Sequence, residues 1–155
     1  MPTSQIYLAT KTLTDAQIKT LPNVPISILD PLGAGKFIIP LVAVLILDNA
    51  AGAYTNVHAT SSLFLVRDPA VGFNVDSVLA NSDFLTAASP ERVTSLLGGG
   101  LFLDQAQTRV EAITQEEVAN RVIGIGADNA TLDNFTGGNS ANHLDVYMFY
   151  VIVEP

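Results

Sequence analysis

The sequence predicts an all-β fold: a jelly-roll-like β-sandwich with short edge helices, forming one domain over residues 1–155. Three observations predict it. The long apolar segments Lys36–Asp48 and Leu144–Glu154 are rich in the β-branched and aromatic residues that suit a pleated surface. About eight such short segments are punctuated by turn residues, as in sandwiches and jelly rolls. No fixed-period repeat or low-complexity linker divides the chain.

Taken in order, strands are predicted at Ile6–Thr10, Val24–Asp30, Lys36–Asp48, Thr60–Arg67, Gly72–Val78, Thr108–Ile113, Arg121–Gly126 and Leu144–Glu154. Turn signals separate many of them: Pro31-Leu32-Gly33, Asn49-Ala50-Ala51-Gly52, Asp68-Pro69, Gly98-Gly99-Gly100 and Gly137-Gly138-Asn139. Short helices are expected at the edges. Thr14-Asp15-Ala16-Gln17 fits a capping box, with Leu13 and Ile18 as its hydrophobic staple and Pro22 as its stop. Thr114-Gln115-Glu116-Glu117 repeats the device with Ile113 and Val118. Ser89-Pro90-Glu91-Arg92 places a cap and an N1 proline before Val93–Leu97, which Gly98 would end, so a third helix is expected there.

The terminal strand carries a further message. Leu144, Val146, Met148, Tyr150 and Ile152 fall on one face, while Tyr147, Phe149, Val151 and Val153 make the other face apolar beyond Asp145. A strand wetted on one side alternates with polar residues. This one does not, and neither does Lys36–Asp48, so both call for cover beyond a two-layer core. Edge helices or a neighbouring subunit could supply it.

Composition points the same way. Charged residues make up 14% of the chain and apolar ones 48%, against about 25% charged in ordinary domains. So few charges imply that part of the surface is buried against another subunit, which predicts an oligomer. The formal net charge is −8 and the seven basic residues stand singly. Neither a nucleic-acid groove nor a membrane-binding basic patch is expected from such a pattern. The absence of cysteine removes disulfides, thiolate catalysis and Cys-ligated metals. The start, MPTSQIYLATKTLTD, has neither the basic nor the long apolar region of a signal peptide. The longest apolar run, Phe37–Leu47, contains Pro40 and is too short for a spanning helix of about 20 residues.

Chemistry-bearing patterns are sparse. Gly33-Ala34-Gly35-Lys36 resembles a phosphate cradle, but a P-loop would place glycine at Asp30 and a hydroxyl at Phe37, and it would open a helix. A turn leading into a strand is the preferred reading, and no nucleotide is expected. His58 and His143 belong to no metal-binding spacing. Ser140, His143 and Asp145 are the members of a hydrolytic triad, yet they are crowded into one loop without G-x-S-x-G. Asp128, Asn129, Asp133 and Asn134 gather oxygen ligands without calcium-loop spacing, so a solvated loop is preferred and a cation stays open. The sequons at Asn129 and Asn134 matter only in a secretory pathway. Glu116-Glu117 at a predicted helix start is explained by the helix dipole. No catalytic residue, metal ligand or cofactor is assigned, and an enzyme is not expected.

The segments "TLTDAQIKTLP", "VPISILDPLGAGKFIIPLVAVLILD" and, after a glycine-asparagine loop, "LDVYMFYVIVEP" together resemble small structural proteins of tailed bacteriophages. The similarity is to capsid decoration (cement) proteins with jelly-roll-like folds, and it covers about the first third and last fifth of the chain. It implies a protein made in the bacterial host cytoplasm that joins the virion. There it would sit on the capsid surface as a homotrimer and strengthen contacts of the major capsid protein, with no catalytic residues. The alternatives are a phage tail or baseplate module that binds a receptor or glycan, and a β-sandwich carbohydrate-binding module. The second is weakened by the absence of tryptophan.

Overall fold

The computed structural model describes residues 5–67, 73–74, 80–88, 92–97, 122–128 and 133–154. In chain order the first elements are β1 (Ile6–Thr14), α1 (Asp15–Thr20), β2 (Ile26–Leu29), β3 (Phe37–Asp48), β4 (Tyr54–Thr55) and β5 (Ser62–Arg67). Then come β6 (Phe73–Asn74), β7 (Ala80–Asn81), α2 (Ser82–Thr86), β8 (Arg92–Leu97), β9 (Ile123–Asp128), β10 (Thr136–Gly137) and β11 (His143–Val153). The predicted all-β sandwich is borne out. One sheet has the order β1-β11-β3-β8, the other β2-β9-β5-β6 with β7 also on β5, and β4 and β10 form a separate two-stranded ladder.

The pairing is that of a long hairpin rolled up. The first strand pairs with the last, β1 with β11; the next pairs inward follow as β2 with β9, β3 with β8 and β5 with β6, every one antiparallel. Rolling then adds β11 to β3 and β9 to β5. This nesting of pairs, split between two sheets, is a jelly roll. The first strand therefore lies at one edge and the last strand in the centre of the same sheet.

The core fills the space between the two sheets. Leu144, Val146 and Met148 on β11 are fully buried, as are Leu45 and Leu47 on β3, Leu63 on β5 and Ile123 and Ile125 on β9. Tyr7 and Tyr150 stack at 5.4 Å near one end, a contact that adds to their burial. Pro40 lies within central β3, where a missing N–H would break a ladder. Two features accommodate it. The register with β11 shifts between Phe149 and Tyr150, which pair with Val42 and Pro40, and among the described residues β8 pairs no further than Val42.

Helix α1 forms as the capping box predicts. The Thr14 N–H donates to Gln17 Oε1 at 3.0 Å, and Thr14 Oγ1 receives the Gln17 N–H. Leu13 and Ile18 are both fully buried in the core, as a staple requires. Thr14→Ala is expected to lower stability by about 1 kcal/mol, read as a shifted urea midpoint at unchanged slope.

The structure corrects one element. Val93–Leu97, expected to be helical behind the Ser89-Pro90 start signal, belongs to strand β8, paired with Val42–Leu47. Without β8, β3 would present a row of unpaired backbone groups at the sheet edge. Val93 and Thr94 are β-branched and suit that role, so the tertiary partner overrides the local cap. Strand β1 runs on to Thr14, past the predicted Thr10, because β11 offers partners along its whole length. The predicted strand Thr108–Ile113 and the helix start at Thr114 lie outside the described residues. Helix α2 and the β4–β10 ladder carried no expectation.

Candidate functional site

The outward face of the four-stranded sheet is the most distinctive surface. Side chains opposite one another across the strands build four rows. Ile6, Val151 and Ile39 make the first; Leu8, Phe149 and Val42 the second; Thr10, Tyr147 and Val44 the third; Thr12, Asp145, Ile46 and Val93 the last. Ile6 is 62% exposed, Leu8 51%, Phe149 38% and Val93 65%. With strands about 4.8 Å apart and about 3.4 Å per residue, these rows span about 400 Å². That is the size of a functional patch on a monomer, about 300–600 Å², and about half of one side of a standard interface. The doubly apolar character of β3 and β11 is thus explained. Their inner faces fill the core and their outer faces form this open patch.

One end of the patch is polar. Asp145 Oδ1 accepts a hydrogen bond from the Thr12 hydroxyl across the ladder. His143 Nε2 lies 3.9 Å from Asp145 Oδ2, and its Nδ1 is 3.5 Å from the Ala141 carbonyl. Ser140 is exposed in the preceding loop. The carboxylate is shared between a threonine and a more distant imidazole, and among the described residues no hydrogen bond is seen between Ser140 and His143.

The glycine turn is a turn. The Lys36 N–H donates to the Gly33 carbonyl at 3.3 Å, and Gly33 and Gly35 have φ of +105° and +76°. A strand follows where a phosphate cradle needs a helix N-terminus. Lys36 Nζ instead meets Glu154 Oε1 at 2.7 Å, tying the start of β3 to the end of β11. That carboxylate raises the lysine pKa from its ordinary value.

The remaining sequence candidates disperse. Asp128 Oδ1 accepts from both the N–H and the hydroxyl of Ser62, fastening β9 to β5. Asn134 Oδ1 accepts from Asn23 Nδ2 at 2.8 Å, and its carbonyl accepts from Asn56 Nδ2 at 2.9 Å. Asp133 is exposed, and Asn129, Glu116 and Glu117 lie outside the described residues. His58 Nδ1 faces Thr60 Oγ1 at 2.9 Å. Among the described residues no group of three His, Asp or Glu side chains could hold a metal ion, and no helix is long and apolar enough to cross a membrane.

Sequence reasoning missed a buried polar cluster. Asp15 at the start of α1, Tyr54 of β4 and Asn142 before β11 are 8%, 1% and 2% exposed. Asp15 Oδ2 binds Lys19 Nζ at 2.7 Å, one helical turn on, and Asn142 Nδ2 donates to the Gly52 carbonyl at 2.7 Å. Burial pushes the Tyr54 hydroxyl far above its ordinary value; Asn142 partly offsets this, and the Asp15 charge adds to it. The phenol must stay protonated in the folded state, whereas in the unfolded chain it ionises near pH 10. Its contribution to stability is therefore complete below about pH 10 and declines as pH rises beyond it. Urea titrations between pH 9 and about 11.5 should show that decline, and Tyr54→Phe should flatten it.

No family model matches this chain, and no curated protein matches it. Among solved structures it is similar to a chain of the T13 particle of infectious bursal disease virus. The identity is 8% and the TM-score 0.36, covering 97% of this chain and 35% of that one. Chains from the Gt and Gx strains of the same virus give TM-scores of 0.33 and 0.32 at 8% and 10% identity. They are covered over 35% and 32% of their length, again by 97% of this chain. The chain thus spans about a third of the length of the chains it matches.

Proposed function

We propose that this protein is a virion structural protein of the decoration type, which docks on the outside of a capsid shell and stabilises it. The observation that carries the reading is the open apolar face of the β1-β11-β3-β8 sheet. A patch of that size and chemistry loses water on contact and gains about 25 cal/mol per Å² of apolar area removed. It offers a partner shape and hydrophobicity, with its charges confined to one end. The major capsid protein is the partner this reading assigns, and self-association into a trimer supplies the contact area that one face lacks. The scattered basic residues and the acidic balance give no support to binding nucleic acid or membrane.

A ligand that binds the assembled shell and not its unfolded subunits stabilises the shell by linkage, about 2.7 kcal/mol per site at 100 times the dissociation constant. Capsids stripped of this protein should lose their DNA at lower temperature than decorated ones, and adding it back should restore the difference. Attachment through apolar contacts should also survive moderate salt. Stripped and decorated heads that melt together, or localisation of the protein to the tail alone, would overturn the proposal.

A further inference from the structure

Among the described residues three buried side-chain atoms lack a hydrogen-bond partner: Asp15 Oδ1, Tyr54 Oη and Asn142 Oδ1. They belong to the one cluster that joins α1, β4 and the turn into β11. Asp15 and Asn142 both lie close enough to the Tyr54 hydroxyl to shift its proton affinity, though neither is in bonding geometry with it. Gly138 packs against two of the three. A methyl on its Cα would stand 2.5 Å from Asp15 Oδ1 and 2.7 Å from Tyr54 Cε1.

The donor count decides what such a cluster can hold. Asn142 Nδ2 is committed to the Gly52 carbonyl, which fixes the amide so that its oxygen is the free end. The second N–H of that amide reaches neither Asp15 Oδ1 nor the Tyr54 oxygen in bonding geometry, so two acceptors are left to one phenolic proton. If Tyr54 swung onto either acceptor, the other would remain unpaired and buried, and buried polar atoms are seldom left so. A group with two donors and one acceptor satisfies all three atoms together. A cation would suit the three oxygens, but the Lys19 ammonium already neutralises this carboxylate through Oδ2 at 2.7 Å. A second positive charge there would be repelled at short range.

We infer that Asp15, Tyr54 and Asn142 form a built hydration site for one internal water. The water donates to Asp15 Oδ1 and Asn142 Oδ1 and accepts from the Tyr54 hydroxyl. Bridging waters of this kind typically make about three hydrogen bonds and are costly to remove. Here the water joins the first helix, the small ladder and the last strand's entry at one end of the sandwich.

A crystal structure of the intact chain at about 1.3 Å should show one density peak about 2.7–3.1 Å from all three atoms, the range of ordinary hydrogen bonds. Deuteron relaxation dispersion on the same protein should count one more long-lived water than in Asn142→Leu, which removes an acceptor. Tyr54→Phe keeps both acceptors and should keep the water, so a folded variant is available if Asn142→Leu fails to fold. A peak with contacts near 2.4 Å and five or more oxygen ligands would identify a cation and overturn the assignment. So would direct Tyr54–Asp15 contact with no peak, or equal water counts in wild type and a folded Asn142→Leu.

Discussion

Gly138→Ala is expected to remove about 2–5 kcal/mol of folding stability, a large share of the roughly 5–15 kcal/mol that holds a domain together. Two costs add. Gly138 has φ of +67°, and a left-handed backbone costs a residue with a Cβ about 1–2 kcal/mol. The new methyl would also lie 2.5 Å from Asp15 Oδ1 and 2.7 Å from a Tyr54 ring carbon. Relief requires moving both the Asp15 carboxylate, which Lys19 holds at 2.7 Å, and a ring that is 1% exposed, and overpacking of that kind costs about 1–3 kcal/mol. Gly35→Ala separates the two. Its φ is +76°, close to that of Gly138, but nothing lies within 4 Å of the added carbon, so only the backbone cost applies. Urea denaturation of both variants should give a clearly larger loss at position 138. Equal losses would show that the packing against Asp15 and Tyr54 carries no weight.

What could be read from the sequence divides by the range of the interaction that decides it. Helix α1 was legible because Thr14, Gln17, Leu13 and Ile18 settle it within a few residues. Strands β3 and β11 were legible because their apolar runs are long, and their doubly apolar faces called for cover on the outer side, where the structure leaves Leu8 and Phe149 exposed. β8 was misread because Ser89-Pro90-Glu91 is a local helix signal, whereas the need for a strand comes from the free edge of β3. The β4–β10 ladder was missed for a similar reason. Tyr54-Thr55 and Thr136-Gly137 are only two residues each, and neither pairs with a sequence neighbour. The hydration cluster was out of reach altogether. Asp15 reads as an ordinary first-turn acid and Asn142 as a loop residue until the roll of the chain brings both to Tyr54. The nesting of first strand with last has no signature in any window, since it is a property of the pairing and not of a segment.

The outer face itself gives the sharpest test of the proposed role. Leu8 and Phe149 sit opposite each other at the middle of the patch, 51% and 38% exposed. Leu8→Lys with Phe149→Glu converts this apolar pair into a cross-strand pair of opposite charge, which sheets tolerate and which adds up to about 1 kcal/mol of its own. The fold should therefore survive, with the melting temperature within a few degrees of wild type. Docking should not survive. Loss of two central apolar anchors costs about 2 kcal/mol each in a typical interface, and the new charges would have to be desolvated on contact. Together these weaken attachment by at least about three orders of magnitude. Val24→Lys is the control, because Val24 is 54% exposed yet lies just before β2, outside the four-stranded sheet. Capsid pelleting should show wild-type attachment for Val24→Lys, and unbound protein in the supernatant for the double variant. If the double variant still binds shells at wild-type affinity, the patch is not the docking surface and attachment must use another face.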